Sequence, residues 1–263
     1  MRFVKMSGAG NDFLALDNRD GSLDRLLTAE FIRRVCTRSI SVGADGVLEL
    51  LADPDHLFRM RYYNSDGGRA EMCGNGGRCM AVFAGMLGLA GGEPFAFRSD
   101  AGVHRALVCG PEEARIWMTD PRESFLDRQI ELPGGTARIS LVDTGVPHAV
   151  ELSGAPEDEL FARAPLIRRH RAVGERGANY DLVAASGDGL EIRTWERGVE
   201  GETLACGTGA VAAAYVASKL MSVSLPVTVR VRSGMDLQVG RDRHGWWLQG
   251  EARPVFRGEA LSV

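Results

Sequence analysis

Apolar and polar positions follow two periods along this chain, and those periods recur in the same order in both halves. Phe3-Val4-Lys5-Met6 and the run from Ala137 to Val142 have the period of two that marks a half-buried strand. Behind Thr28, a good N-cap, Phe31, Ile32 and Val35 fall on one helical face. The counterpart helix is expected from Glu157 to Arg169, carrying Leu160, Phe161 and Ile167. Each half then has a strand, Phe58 to Tyr63 and Glu191 to Trp195, followed by a loop, a cysteine-glycine element and a second helix. That second helix is apolar nearly all round, from Cys79 to Ala84 and from Ala210 to Ala217, so it must be enclosed by protein. Val227 to Val231 and Trp246 to Gln249 read as further alternating strands.

The recurrence extends to residue identity. Cys73-Gly-Asn-Gly-Gly-Arg reads against Cys206-Gly-Thr-Gly-Ala-Val at an offset of 133, about half of 263. Gly43-Ala44-Asp45 faces Gly177-Ala178-Asn179 at 134, Arg61-Tyr62-Tyr63-Asn64 faces Arg193-Thr194-Trp195-Glu196 at 132, and Gly10-Asn11 faces Gly145-Val146 at 135. Four matches in one order make the chain two copies of one domain. The expected fold is α+β: two homologous domains, each a curled, mostly antiparallel sheet around a central helix, with the active site in the cleft between them. The boundaries fall near residues 115 and 250, giving domains 1–115 and 116–249.

Composition narrows the chemistry. A net charge of −4 without a long basic stripe argues against a nucleic-acid partner. All but two of the 31 basic residues are arginine, Lys5 and Lys219 being the lysines, which limits any Schiff-base chemistry. The opening MRFVKMSGAGNDF has no apolar run of the signal-peptide kind. The longest apolar stretch, Leu204 to Ala217, is too short for a span of about 20 residues. A cytoplasmic protein with no membrane segment is therefore expected. Five cysteines with no CxxC pair, and five scattered histidines, support neither a disulfide framework nor a structural metal site.

Cys36, Cys79 and Cys109 read as ordinary buried thiols. Cys73 and Cys206 differ, because each stands just before a glycine-rich turn that opens an enclosed helix. The partial positive charge and unpaired N–H groups of a helix N-terminus lower a thiol's pKa and can hold a carboxylate. Glycines at 74, 76, 207 and 209 are expected to keep the backbone accessible to such an anion. Two such thiols about one carbon suit proton removal alpha to a carboxylate and redelivery from the opposite face. Helix N-termini would meet the charge that develops on the carboxylate. His148, Glu196 and Arg197 lie in second-half loops equivalent to Asn11 and Asn64, where they could orient a thiol or grip the polar ends of a substrate. The competing reading of the two cysteines is a structural or redox disulfide. No GxGxxG is present, so a dinucleotide site is poorly supported.

Met6-Ser-Gly-Ala-Gly-Asn-Asp-Phe13, Gly43-Ala-Asp-Gly46, the block Asn64 to Cys79, Gly145-Val-Pro-His148, and Glu196-Arg-Gly through Glu202-Thr-Leu-Ala-Cys-Gly-Thr-Gly209 together resemble the diaminopimelate epimerases. The resemblance runs from residue 1 to about 260. It implies an epimerase that converts LL-diaminopimelate to the meso form without a cofactor or metal, in lysine and peptidoglycan synthesis, commonly as a homodimer. It implies a final strand, about Gly250 to Val263, that returns to the first domain. By the same resemblance Cys73 and Cys206 would be acid/base thiols, with His148 and Glu196 as their supporting partners. Asn11, Asn64, Asn179, Glu196 and Arg197 would hold the substrate, and the amides of Gly74, Asn75, Gly207 and Thr208 its reacting carboxylate.

Three departures stand out. Val146 occupies a position often filled by a substrate-contacting Asn, and Gly46 one where some members have Gln. Gly198 to Glu202 is one residue longer than the usual pattern, which predicts a bulge before Cys206. Proline racemases and hydroxyproline epimerases share the thiol pair but resemble a CGHG pattern where Asn75 stands. A thiol redox or binding protein is the alternative of a different class.

Overall fold

In a computed structural model the chain is described over residues 1–154 and 158–261. It divides into two compact units, Met1–Ile116 with Gln249–Val263, and Trp117–Leu248. The first half of the chain supplies β1 (Arg2–Gly8), β2 (Asn11–Asp17), α1 (Ala29–Cys36), β3 (Gly46–Leu51), β4 (Arg59–Asn64), β5 (Arg69–Ala70), α2 (Gly74–Met86), β6 (Phe95–Ser99), β7 (Gly102–Gly110), β8 (Glu113–Trp117) and β9 (Arg122–Leu132). The second supplies β10 (Gly135–Asp143), β11 (Pro147–Ser153), α3 (Asp158–Phe161), α4 (Ala164–Arg168), β12 (Asn179–Ser186), β13 (Gly189–Glu196), β14 (Gly201–Thr203), α5 (Gly207–Leu220), β15 (Val227–Arg230), β16 (Asp236–Asp242), β17 (Gly245–Glu251) and β18 (Arg253–Glu259).

The two halves pair their strands in the same way. β1 and β2 are antiparallel, β2 and β3 parallel, and β3 and β4 antiparallel. β4 then takes β5 antiparallel on one stretch and β6 parallel on another, and β6 turns back into β7. β10 to β16 repeat this sequence of pairings step for step. Left-handed glycines recur with it: Gly10 (φ 109°) matches Gly145 (φ 106°), and Gly43 (φ 74°) matches Gly177 (φ 68°). The ninth strand of each half departs from its own copy. β9 pairs with β10, and β18 pairs with β1, so each half adds its last strand to the sheet of the other.

Each unit has its own core. Leu14, Leu16, Ile32, Val35 and Val47 pack together in the first, and Ile139, Ala149, Ile167, Tyr180 and Leu182 in the second. α1 starts where the pattern predicts, with Thr28 Oγ1 accepting the Phe31 N–H at 3.2 Å. α2 is buried from Asn75 to Ala84 without a break. α5 is nearly as enclosed, with Gly209 to Ala214, Val216 and Ala217 all buried. These are the central helices expected from their all-round apolar sequences.

Several local expectations are corrected. The helix predicted from Glu157 to Arg169 is two short helices, α3 and α4, and Glu157 itself lies outside the described residues. Pro165, at the second position of α4, lacks an N–H and its ring would clash with the Phe161 carbonyl, so α3 must end there. The last strand ends at Glu259 rather than Val263; Ser262 and Val263 are outside the described residues. β1 does not alternate, since Phe3 to Met6 are all buried; the Lys5 ammonium is buried because it pairs with Asp12 at 2.7 Å and donates to the Gly43 carbonyl. Trp246 to Leu248 are likewise buried in succession, with the Trp247 ring filling the space that a side chain at Gly240 would take. Cys109 is exposed, not buried, beside an irregularity in β7 between Val108 and Gly110. No helix among the described residues is long and apolar enough to cross a membrane.

Candidate active site

Cys73 and Cys206 hold the same structural position in their units. Each is the N-cap of the central helix, with extended backbone (φ −136°, ψ 122° and φ −126°, ψ 109°). Gly74 and Gly207 are the first helical residues, so the N–H groups that follow each cysteine are among those a helix leaves unpaired. No disulfide joins any of the five cysteines. Gly76 and Gly209, expected to keep the backbone open to an anion, meet close packing instead. A Cβ at Gly76 would lie 2.9 Å from Leu48 Cδ2, and one at Gly209 would lie 2.7 Å from Asp181 Oδ1.

In the first unit the Gly76 N–H donates to Cys73 Sγ at 3.4 Å. Asn75 is buried, and its Nδ2 donates to Asn11 Oδ1 at 2.7 Å. Asn11 opens β2 and donates from Nδ2 to Asp45 Oδ2 at 3.0 Å, while Arg78 donates to Asn75 Oδ1 at 2.9 Å. Asn64 is exposed at the end of β4, opposite Gly46 in the β3–β4 register. The strand starts of β2 and β3 and the end of β4 therefore bring Asn11, Asp45 and Asn64 to one end of the sheet. Gly46 has no room for a side chain: its Cβ would stand 2.3 Å from the Tyr63 carbonyl and 2.7 Å from the Tyr62 ring.

In the second unit Cys206 Sγ lies 3.4 Å from Thr208 Oγ1, and Thr208 Oγ1 lies 3.0 Å from His148 Nε2. His148 Nδ1 is 2.6 Å from Asp181 Oδ2, and Asp181 Oδ1 accepts from Thr194 Oγ1 at 2.7 Å. A carboxylate accepting on both oxygens orients the imidazole with its proton on Nδ1. Nε2 then accepts from Thr208, whose hydroxyl oxygen faces the thiol. His148, Asp181 and Thr194 are all buried. The parallel register of β11 and β12 sets His148 beside Asn179, and the Asn179 Oδ1 accepts the Arg197 N–H at 2.8 Å. Arg197 Nη1 donates to the Gly177 carbonyl at 3.4 Å. Glu196, at the end of β13, is half-buried, and burial raises its carboxyl pKa.

The expectation of a lowered thiol pKa fails at Cys206. Burial, then the charges of Glu196 and Asp181, push the thiol well above its ordinary range. The Thr208 hydroxyl and the Gly209 N–H pull the other way and do not compensate. Cys206 is therefore a protonated thiol at neutral pH.

Four residues that the sequence does not single out tie these neighbourhoods together: Asp45, Arg78, Asp181 and Thr194. The available signal is a charge inside an apolar run, Arg78 within α2 and Asp181 within the Tyr180 to Ala184 stretch. His148 reaches Cys206 through Thr208 rather than directly. Val146 is half-buried in the turn before β11, where its carbonyl accepts the Thr144 N–H at 3.1 Å. The lengthened stretch from Gly198 forms the turn into β14, where Glu200 is left-handed (φ 55°) and its carboxylate accepts from Arg168 and Arg169. Asp53, Asp55 and His56 bring metal-ligand atoms within 4.8 Å of one another, but Arg98 already pairs with Asp53 (3.4 Å) and Asp55 (3.0 Å).

Residues 3–123 and 140–255 match the sequence model of the family described as diaminopimelate epimerase. A diaminopimelate epimerase of Chlorobaculum tepidum is 41% identical over 259 residues, covering 96% of this chain and 98% of that protein. Among solved structures, a Bacillus anthracis phenazine biosynthesis protein of the PhzF family is similar over 100% of this chain and 99% of its own, with a TM-score of 0.71 and 15% identity. A probable proline racemase from Agrobacterium radiobacter is similar over 99% and 93%, with a TM-score of 0.69 and 15% identity. These two structures share the fold, and at that identity the likeness carries no activity.

Proposed function

The chain belongs to the diaminopimelate epimerase family, and from that premise we propose that it interconverts LL- and meso-2,6-diaminopimelate with Cys73 and Cys206 as its acid/base pair. The observation that carries this reading is that two repeat-equivalent cysteines each cap a buried helix and each adjoin a polar chain. One thiolate takes the alpha proton, so a C–H bond breaks and an S–H bond forms. The other thiol gives its proton to the opposite face, so the centre is inverted and the two sulfurs exchange protonation states. Thr208 with His148 offers the Cys206 proton a route.

The N–H groups of Gly74, Asn75, Gly207 and Thr208 would receive the reacting carboxylate, where its charge grows as the proton leaves. Asn11, Asn64, Asn179, Glu196 and Arg197 would hold the rest of the substrate, and Glu196 would also tune Cys206. No cofactor or metal enters the scheme. Of the two lysines, Lys5 is committed to Asp12 and the Gly43 carbonyl, and Lys219 stands in the last turn of α5. A cytoplasmic homodimer acting in lysine and peptidoglycan precursor synthesis completes the proposal.

The test is isotopic. Early in a reaction in D2O, meso product should carry deuterium while the remaining LL substrate carries little. Cys73→Ala and Cys206→Ala should each abolish epimerisation, and neither proline nor hydroxyproline should react. Equal early labelling of substrate and product, or a single-cysteine variant that still epimerises, defeats the two-base assignment.

A further inference from the structure

Arg78 sits in the second turn of α2 with no solvent exposure, and no carboxylate among the described residues lies within ion-pair distance of it. Its Nε and Nη1 have no hydrogen-bond partner among those residues, and only Nη2 is engaged, on Asn75 Oδ1 at 2.9 Å. A buried, poorly paired charge carries an uncompensated desolvation penalty and is destabilising. Helix packing does not require it. The equivalent position in the second half, 133 residues on, is Val211, fully buried in α5. The guanidinium therefore does something that an apolar side chain does not.

What it does follows from hydrogen-bond polarity. A guanidinium only donates, so Asn75 must present Oδ1 to Arg78 and Nδ2 to Asn11. A carboxylate only accepts, so Asn11 must present Nδ2 to Asp45 and Oδ1 to Asn75. Asp45 is itself held by Arg38 at 2.9 Å. Between these two charged ends neither amide can rotate by 180° without setting donor against donor or acceptor against acceptor. Asn11 is left with one N–H and one lone pair in fixed directions.

We propose that Arg78 is a positioning residue for substrate recognition: it locks the amide of Asn75, and through it the amide of Asn11, and so determines where Asn11 donates and where it accepts. This rests on the reading that Asn11 contacts the substrate. In the second half the residue equivalent to Asn75 is Thr208, which also joins its helix start to a buried network, but by way of His148 and Asp181. The same node is thus oriented by a cation in one copy and by a carboxylate in the other.

Three variants and one spectrum test this. In Arg78→Met the buried charge is gone, so the unfolding temperature should stay level or rise, while kcat/KM falls at least tenfold, mainly through KM. Arg78→Lys keeps a donor and should recover part of that loss. Should Arg78→Met not fold, Asn75→Asp decides: it satisfies Arg78 but has no N–H for Asn11, so kcat/KM should again fall at least tenfold without loss of stability. A folded Arg78→Met or Asn75→Asp within threefold of the wild type overturns the proposal. The lock is also readable without substrate. The side-chain NH2 signals of Asn75 and Asn11 in 15N-labelled protein should resist exchange in the wild type and lose that protection in the folded variant, and unchanged protection overturns the lock. Wild-type protein that does not epimerise diaminopimelate counts against the function instead, and the spectrum still decides the lock.

Discussion

His148 Nδ1 and Asp181 Oδ2 are 2.6 Å apart, and neither side chain has any solvent exposure. An imidazole so held cannot rotate or change tautomer without leaving a buried carboxylate unpaired. Asp181→Asn replaces a pure acceptor by a group that can also donate, so the proton on Nδ1 is no longer required and Nε2 need not accept from Thr208. A folded Asp181→Asn protein should lose roughly tenfold or more in kcat/KM, because the imidazole is no longer held in one tautomer. Steady-state rates beside a circular dichroism spectrum would check it, and turnover near wild type would remove His148 from the chemistry.

The carboxylate of Glu196 is one of two charges that hold the Cys206 thiol up. Removing a negative neighbour favours the thiolate and lowers the thiol pKa. In Glu196→Gln, alkylation of Cys206 by iodoacetamide, followed by mass spectrometry at pH 8, should be several-fold faster than in the wild type. The wild-type rate should also keep climbing above pH 9 rather than level off. A slower or unchanged rate in the variant would mean that burial alone sets the thiol.

Gly46 tests the sheet end that carries Asn64. An alanine there would drive its Cβ against the Tyr63 carbonyl, and backbone must shift to admit it. Gly46→Ala should be destabilised by about 1–3 kcal/mol, as overpacked sites are. Gly91→Ala, where a Cβ meets nothing within 4 Å, is the matched control. Equal denaturation midpoints for the two variants would show that β3 and β4 yield easily.

Alkaline stability reports on two thiols outside the site. Burial pushes Cys36 up to about 11 and Cys79 up to about 12. The unfolded chain releases those protons near pH 8.5, before the folded one does. Unfolding then releases protons, and stability falls with rising pH from about 8.5 toward the folded values. Below that range the two thiols contribute no slope. Denaturant midpoints between pH 7.5 and 10 should therefore fall less steeply in a Cys36→Ala, Cys79→Ala protein than in the wild type. Parallel slopes would assign the decline to other groups.

The doubled architecture was legible because its signal is contiguous: Cys-Gly-x-Gly stands at the head of an apolar helix twice, and short neighbours repeat in order. The environment of each thiol was not, because distant partners decide it. Asp181 lies 33 residues from His148, and Asn75 lies 64 from Asn11, so neither contact leaves a local pattern. The same holds for the Cys206 pKa. The helix N-terminus that favours thiolate is readable from the motif, but the two opposing carboxylates come from other strands. The broken helix at Pro165 is different in kind: the proline is legible in the sequence, and its missing N–H overrides an apolar spacing that by itself favours one long helix.

The exchange of β9 and β18 fastens the two copies to one another. Neither nine-strand half finishes its own sheet, because the last strand of each lies on the first strand of the other. Either half alone would leave a bare strand edge, the kind of surface that invites pairing with another chain. Fastened in this way, the copies differ in detail, Asn75 standing beside a buried arginine and Thr208 beside a histidine.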